Sequence, residues 1–180
     1  TSLDEKIASK LVDFYISELE KKPSLHDKVE FEIIFSCFTF DLNERMEILK
    51  KKGFTAEECF QISQSLLNLT NKIISPKTGL WEIDILKIEK LNTQYNNIIS
   101  SKLDDISKIY WLIEHCKRYG TLPFAGLARA GFIAIQLLKS IVSNGIISLE
   151  EYEQYLNSLN TVSSELSEDL QNLNKKNFLR

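Results

Sequence analysis

Glycine and proline are scarce in this chain, six and three among 180 residues. A loop-rich or all-β fold needs more of both at its turns, so long helices are the expectation. Histidine is rarer still: only His26 and His115 occur, far apart in sequence. The three cysteines, Cys37, Cys59 and Cys116, are odd in number and form no CxxC or CxxH pair. That excludes a disulfide scaffold and a zinc site of the usual spacing, and reduced thiols fit a cytoplasmic protein. No signal peptide opens the sequence, and no apolar run reaches the roughly 18 residues that a membrane span takes. Phe132 to Val142 is strongly apolar but carries Gln136 and Lys139, so it reads as a buried core helix. Charge of one sign is also lacking. Twenty-two Lys and Arg stand among 25 Asp and Glu, with a net charge of −3. The clustered basic face that would release counterions from nucleic acid is absent. P-loop, GxGxxG, GxSxG, HExxH and DxDxDG patterns are missing too, which removes both common phosphate cradles.

What is present is amphipathic helix. An apolar fraction of 43% supports a core. Leu3, Ile7, Leu11, Phe14, Tyr15 and Leu19 form one stripe over residues 3–22, which Pro23 ends. Residues 25–40 are ambiguous. Val29, Phe31, Ile33, Phe35 and Cys37 alternate as in a strand, but the flanks are helical and a lone strand has no partner. A buried helix is the expectation, with a short strand at 29–38 as the alternative and Lys28–Glu32 as a one-turn ion pair. Asp41 opens a helix that Gly53 closes, and Thr55-Ala-Glu-Glu58 reads as a capping box. The helix after it carries Phe60, Ile62, Leu66, Leu67, Leu69 and Ile73 inward. Ser75 to Gly79 is a loop and a candidate sub-lobe boundary. Residues 80–101 and 104–119 read as two further helices, the second ending at Tyr119-Gly120. Ser148-Leu-Glu-Glu151 is a second capping box, opening a helix through Val162, Leu166, Leu170 and Leu173, with a further element beginning at Asn174–Phe178. The sum is an all-α fold, an irregular bundle of seven to eight helices in a single domain. A start at Thr1 without Met looks like a piece of something larger.

The stretch from Tyr110 to Gly145 concentrates the chemistry. Thr121-Leu-Pro123 reads as a helix start, with Thr121 as cap and Pro123 in the first turn. Small residues from Ala125 to Ala134 mark the helix as central, open to close approach by another backbone. Arg118 precedes this start, and Arg129 lies on its most apolar part. Together with the free amides at 121–124 they form a corner that can hold a carboxylate. Alternatively, Arg129 pairs with Glu32, Glu82 or Glu114 inside the bundle. Cys116 and His115 are adjacent on a helix and point about 100° apart, so they are not a nucleophile pair. Cys116 is expected in the core and His115 near a cleft or the surface.

Residues 25–42, LHDKVEFEIIFSCFTFDL, and 118–138, RYGTLPFAGLARAGFIAIQLL, together resemble the central region of the phosphoenolpyruvate-synthase-like kinases. The likeness is to the branch that includes L-glutamine kinase of bacterial capsule phosphoramidate biosynthesis. GFTAEE (53–58) and LLNLT (66–70) fit the same order, and the likeness spans roughly residues 20–150. The resemblance implies an ATP- and Mg-dependent phosphotransferase with an N-terminal ATP-binding domain and a C-terminal phosphohistidine domain. The carrier passes phosphate to the amide nitrogen of L-glutamine. Neither the nucleotide loop nor the Gly/Thr/His carrier signature occurs in this sequence. The resemblance thus implies a middle domain with no cofactor of its own, and His26 and His115 are not the carrier. Its expected partners are the acceptor and the two flanking domains, with no nucleic acid and no membrane. In that role Arg118 or Arg129 would take the glutamine carboxylate, near Thr121, and Glu32 or Glu114 the ammonium, with His115 beside them. The alternative is a linker that positions the phosphohistidine domain and binds nothing small.

Overall fold

The apolar stripe of the first helix is matched by two more, and the three close on one another. In the computed structural model, which describes residues 3–159, α1 (Glu5–Lys21), α3 (Leu42–Lys51) and α4 (Ala56–Ile74) share one core. Ile7 and Leu11, Leu42, Met46 and Leu49, and Phe54, Cys59, Ile62 and Leu66 are all buried in it. Each such side chain taken from water stabilises by about 1.5–3 kcal/mol. Asp4 caps α1 by accepting from the amides of Lys6 and Ile7. Gly53 closes α3 at φ 87°, a conformation that costs glycine little. Lys10 then ties α1 to the start of α4, donating to Glu58 at 2.7 Å and to the Gly53 carbonyl at 2.9 Å. That contact holds the Glu58 carboxyl below its usual range. The Thr55–Glu58 capping box is present in full. Phe60, expected inward, is exposed; Cys59 takes the buried position.

Residues 25–40 are neither the expected long helix nor a strand. A short 3-10 turn (Pro23–Leu25) precedes a single helical turn, α2 (Val29–Glu32), and 33–40 are irregular. The reason lies in competing partners. The Phe35 amide donates to the Tyr15 hydroxyl at 3.0 Å, and the Phe38 amide to Thr70 Oγ1 at 2.8 Å. Side chains thus serve amides that a helix or ladder would otherwise serve. Of the alternating apolar groups Cys37 is buried and Val29, Phe31, Ile33 and Phe35 are half-buried, on different neighbours. Phe31 meets Phe132 edge-on at 4.7 Å, Phe35 lies on Tyr15, and Cys37 is buried with Ile73 and Ile133. Lys28 and Glu32 are both exposed and make no ion pair.

After the loop at 75–79 comes α5 (Leu80–Ile99), then α6 (Asp105–His115), capped by Asp104 accepting from Ser107. The expected end at Gly120 does not occur. A π-helical segment, Cys116–Thr121, carries α6 straight into α7 (Leu122–Ser143), so one helix runs from Asp105 to Ser143. Pro123 inside a helix removes an amide donor and crowds the carbonyl four residues back. The wide turn just before it relieves that conflict. Among the described residues this helix is the one long and apolar enough, by length and composition, to cross a membrane, and only 17% of its apolar window is buried. The stretch read as a buried core helix, Phe132 to Val142, is mostly half-buried: Ile133 and Ser140 are buried and Ala134 and Lys139 exposed, while further up the helix Leu122 and Phe124 are exposed. Of the two glycines of α7, Gly126 is closely approached, by the Asp84 carboxylate, while Gly131 faces open space.

The described residues hold seven helices of ten residues or more and no strand, an all-α fold as expected. The chain divides between Leu137 and Leu138 into two compact units. In the second, Gly145 at φ 68° follows the helix end, and the Ser148–Glu151 capping box opens α8 (Leu149–Ser158). The expected continuation through Val162 to Leu173 and the element at Asn174 lie outside the described residues.

Candidate functional site

The expected anion corner does not assemble. Its amides at 121–124 belong to a continuous helix, so no helix N-terminus is free there. Thr121 caps nothing; its hydroxyl leans back to the Cys116 carbonyl at 3.5 Å. Arg118 and Arg129 lie eleven residues apart on that helix, roughly 15 Å along its axis at about 1.5 Å per residue. One carboxylate cannot bridge them. Arg129 is exposed rather than held in the bundle. Arg118 is exposed too and approaches Glu114 at 3.7 Å. Glu114 also accepts from Lys117 at 2.7 Å, and that hydrogen bond, aided by nearby positive charge, keeps its carboxyl below the usual range. A glutamate so engaged is a poor receptor for an ammonium.

Two concave sites replace the corner. The first is a groove of about 150 Å³ between α1, the segment after α2, and α3. Glu32 lies on it, together with Glu18, Lys22, Phe35 and Arg45. Arg45 is half-buried, and its guanidinium stacks over the Phe35 ring at 4.9 Å. Stacking fixes the plane of the fork and leaves its edge to a carboxylate. Glu18 accepts from Lys21 at 2.8 Å and lies 3.5 Å from Lys52; the Lys21 hydrogen bond chiefly lowers its pKa. Tyr15 braces the same wall through Phe35, and burial pushes its phenol up to about 12. Both signs of charge thus meet over an apolar floor.

The second site is an open cleft of about 480 Å³ between α5 and the α6–π segment. Its wall is Ile88, Leu91, Asn92, Tyr95, Leu112, His115 and Cys116. His115 is the middle ring of a ladder along one helix face, 5.9 Å from Trp111 and 5.8 Å from Tyr119. Lys90 covers Tyr119 at 4.7 Å. Gly120 lets the π segment close on α5: a Cβ there would stand 3.1 Å from Leu91 Cδ2. Cys116, expected in the core, is exposed at this cleft, whereas Cys37 and Cys59 are buried, with burial pushing both thiols up.

Of the sequence-predicted residues, Glu32 falls on the groove and His115 on the cleft, while Arg118, Thr121, Arg129 and Glu114 join neither. Comparison with protein-family models, curated proteins and solved structures finds no match. Arg45 was the residue missed. Its signal was available: it lies three residues after Leu42 and four before Leu49, on the edge of a buried stripe, where an unpaired cation is costly.

Proposed function

We propose that this chain is the acceptor-binding domain of an ATP-dependent phosphotransferase similar to the phosphoenolpyruvate-synthase-like kinases, with L-glutamine as acceptor. The groove beside Arg45 is the observation that carries the binding role. A free amino acid is a zwitterion and needs a cation and an anion a few ångströms apart, because either charge alone is expensive to desolvate. Arg45 offers a forked donor for the α-carboxylate. Glu32, which no lysine among the described residues engages, offers an acceptor for the α-ammonium. The groove's 150 Å³ suits a molecule of amino-acid size. The kinase assignment rests on the resemblance of residues 25–42 and 118–138, which also carries ATP, Mg and the phosphohistidine, all on other domains. Titration calorimetry of the chain with L-glutamine tests the reading. Saturable heat at sub-millimolar to millimolar ligand, lost in Arg45→Ala and kept in Arg129→Ala, is the expected result. No heat at tens of millimolar overturns it.

A second reading, a linker that positions the phosphohistidine domain, draws on a different observation. Ile106, Ile109, Tyr110 and Ile113 form a stripe along α6 that is exposed, Ile106 at 81%. A surface stripe with i, i+3, i+4, i+7 spacing is the form in which helices dock on other domains. On this reading the chain binds no small molecule of its own, and changing Ile106, Ile109 and Ile113 together to Ser should abolish phosphate transfer in the full enzyme.

A further inference from the structure

The outer face of α6 is apolar in the middle and charged at both ends. Ile106, Ile109, Tyr110 and Ile113 are 52% to 81% exposed, and no residue of α6 is buried. Such a face marks an interaction surface. Apolar area names no occupant, but the charges that bound it do. At the N-terminal end stands Asp105, exposed and without an ion-pair partner among the described residues. At the other end stand Lys117 and Arg118, both exposed, which share the one carboxylate of Glu114 at 2.7 and 3.7 Å. One positive charge is thus left over at that end, as one negative charge is at the first. The order inverts about Trp111. Asp105 lies six residues before it and Lys117 six after; Ile109 lies two before and Ile113 two after. Ile106, Ile109, Ile113 and Lys117 follow one another at three or four residues, so they share one face. A second copy of the same helix, turned antiparallel, sets Asp105 against Lys117 and Ile109 against Ile113, and two-fold symmetry repeats both contacts. In a parallel pair each charge would meet its own like. Leu103 before α6 and Leu122 after the π segment are exposed too. The antiparallel order brings one toward the other and lengthens the contact.

We propose that two copies of this chain associate through α6, antiparallel about a two-fold axis at Trp111. A helix of 11 residues is three turns long. One such helix from each copy buries less than the roughly 1,200 Å² of a standard stable interface, so the dimer is a weak one, with a Kd on the order of 100 µM. This contact is separate from the Arg45 groove and stands whether or not glutamine binds there. In it a second copy takes the place that the linker reading gives to another domain.

Sedimentation velocity of the intact chain from about 10 µM to about 1 mM tests it. A monomer at the low end and a rising dimer fraction at the high end are expected by mass action. Ile106→Ser, Ile109→Ser and Ile113→Ser together should leave a monomer throughout, with helix content unchanged. Asp105→Lys sets like charges at both ends of the contact, and Lys117→Glu does the same with the opposite sign. Each alone should weaken association roughly tenfold, because symmetry counts every contact twice. Mixed in equal amounts, the two variants form pairs in which each contact again joins opposite charges, and association should return to the wild-type level. A wild-type chain that stays monomeric at the highest concentration leaves the stripe to a different partner and overturns the proposal without recourse to a variant. So does a triple-serine chain that associates like the wild type, or a mixture that associates no better than its two components.

Discussion

The two concave sites lie on opposite kinds of support. The Arg45 groove sits on α1 and α3, whose inner faces are buried in the larger of the two core clusters among the described residues. The cleft sits between α5 and α6, where Ile98 is the one buried residue of α5 and α6 has none. A groove on a packed core can hold charges at fixed spacing, because the core determines where each helix lies. A cleft between two sparsely buried helices holds an apolar guest by area and adjusts to it. Fixed charges on a packed base therefore characterise the first region, and an apolar wall on sparse support the second.

The contrast is broken most directly in the core. Leu49 is fully buried, and Leu49→Ala should cost about 3–4 kcal/mol by lost transfer and a residual cavity. Ile109→Ala, on the exposed face of α6, should change stability by less than about 0.5 kcal/mol. Equal losses in urea unfolding would show that both regions are packed alike. Next in size is alkaline pH. The Tyr15 phenol is raised from 10.0 to about 12, because burial disfavours the phenolate. Between those values the folded chain keeps a proton that the unfolded chain releases. Stability from this group is then untouched below pH 10 and falls by about 1.4 kcal/mol per pH unit, about 2.7 kcal/mol in all, as pH rises through the window. Tyr15→Phe should lack this loss, measured as the difference between the two proteins' unfolding curves at pH 9 and pH 11.5.

In binding, Arg45→Ala should weaken L-glutamine at least about tenfold, the worth of a charge-assisted hydrogen bond. Arg118→Ala and Arg129→Ala should leave calorimetry unchanged. A loss in Arg129→Ala and not in Arg45→Ala would return recognition to the α7 helix. The smallest effect is expected at the helix starts. Thr55→Ala should cost about 1 kcal/mol of global stability.

Much of the fold was legible because local rules dominate where helices begin and end. The two capping boxes, Gly53 and the Asn144-Gly145 stop follow from side chains acting on their own backbone neighbours. Two places resisted. At 33–40, Tyr15 and Thr70, distant in sequence, supply the partners that decide the backbone. At 116–123 a proline with a threonine before it imitates a helix start, and the wide turn that accommodates Pro123 leaves no such mark. The expected anion corner fails to assemble for the same reason: at Thr121 it requires a helix to begin, and none does. The half-buried Arg45 stands on a short helix where the pattern of caps and stripe says nothing of its stacking on Phe35.

The wide turn has one more consequence, best expressed as phase. Relative to an ordinary helix, a π turn accommodates about one additional residue, and one residue is about 100° of rotation. The faces of α6 and α7 are thus set against each other by a single position in 116–121. Winding 116–121 as ordinary α-helix without losing a residue would turn the part of α7 up to Leu137 by that angle and carry Ile133 away from Cys37 and Ile73, whereas deleting Gly120 would restore the 3.6-residue count and keep those faces in place. The orientation of residues 122–137 is set by one extra step in the backbone.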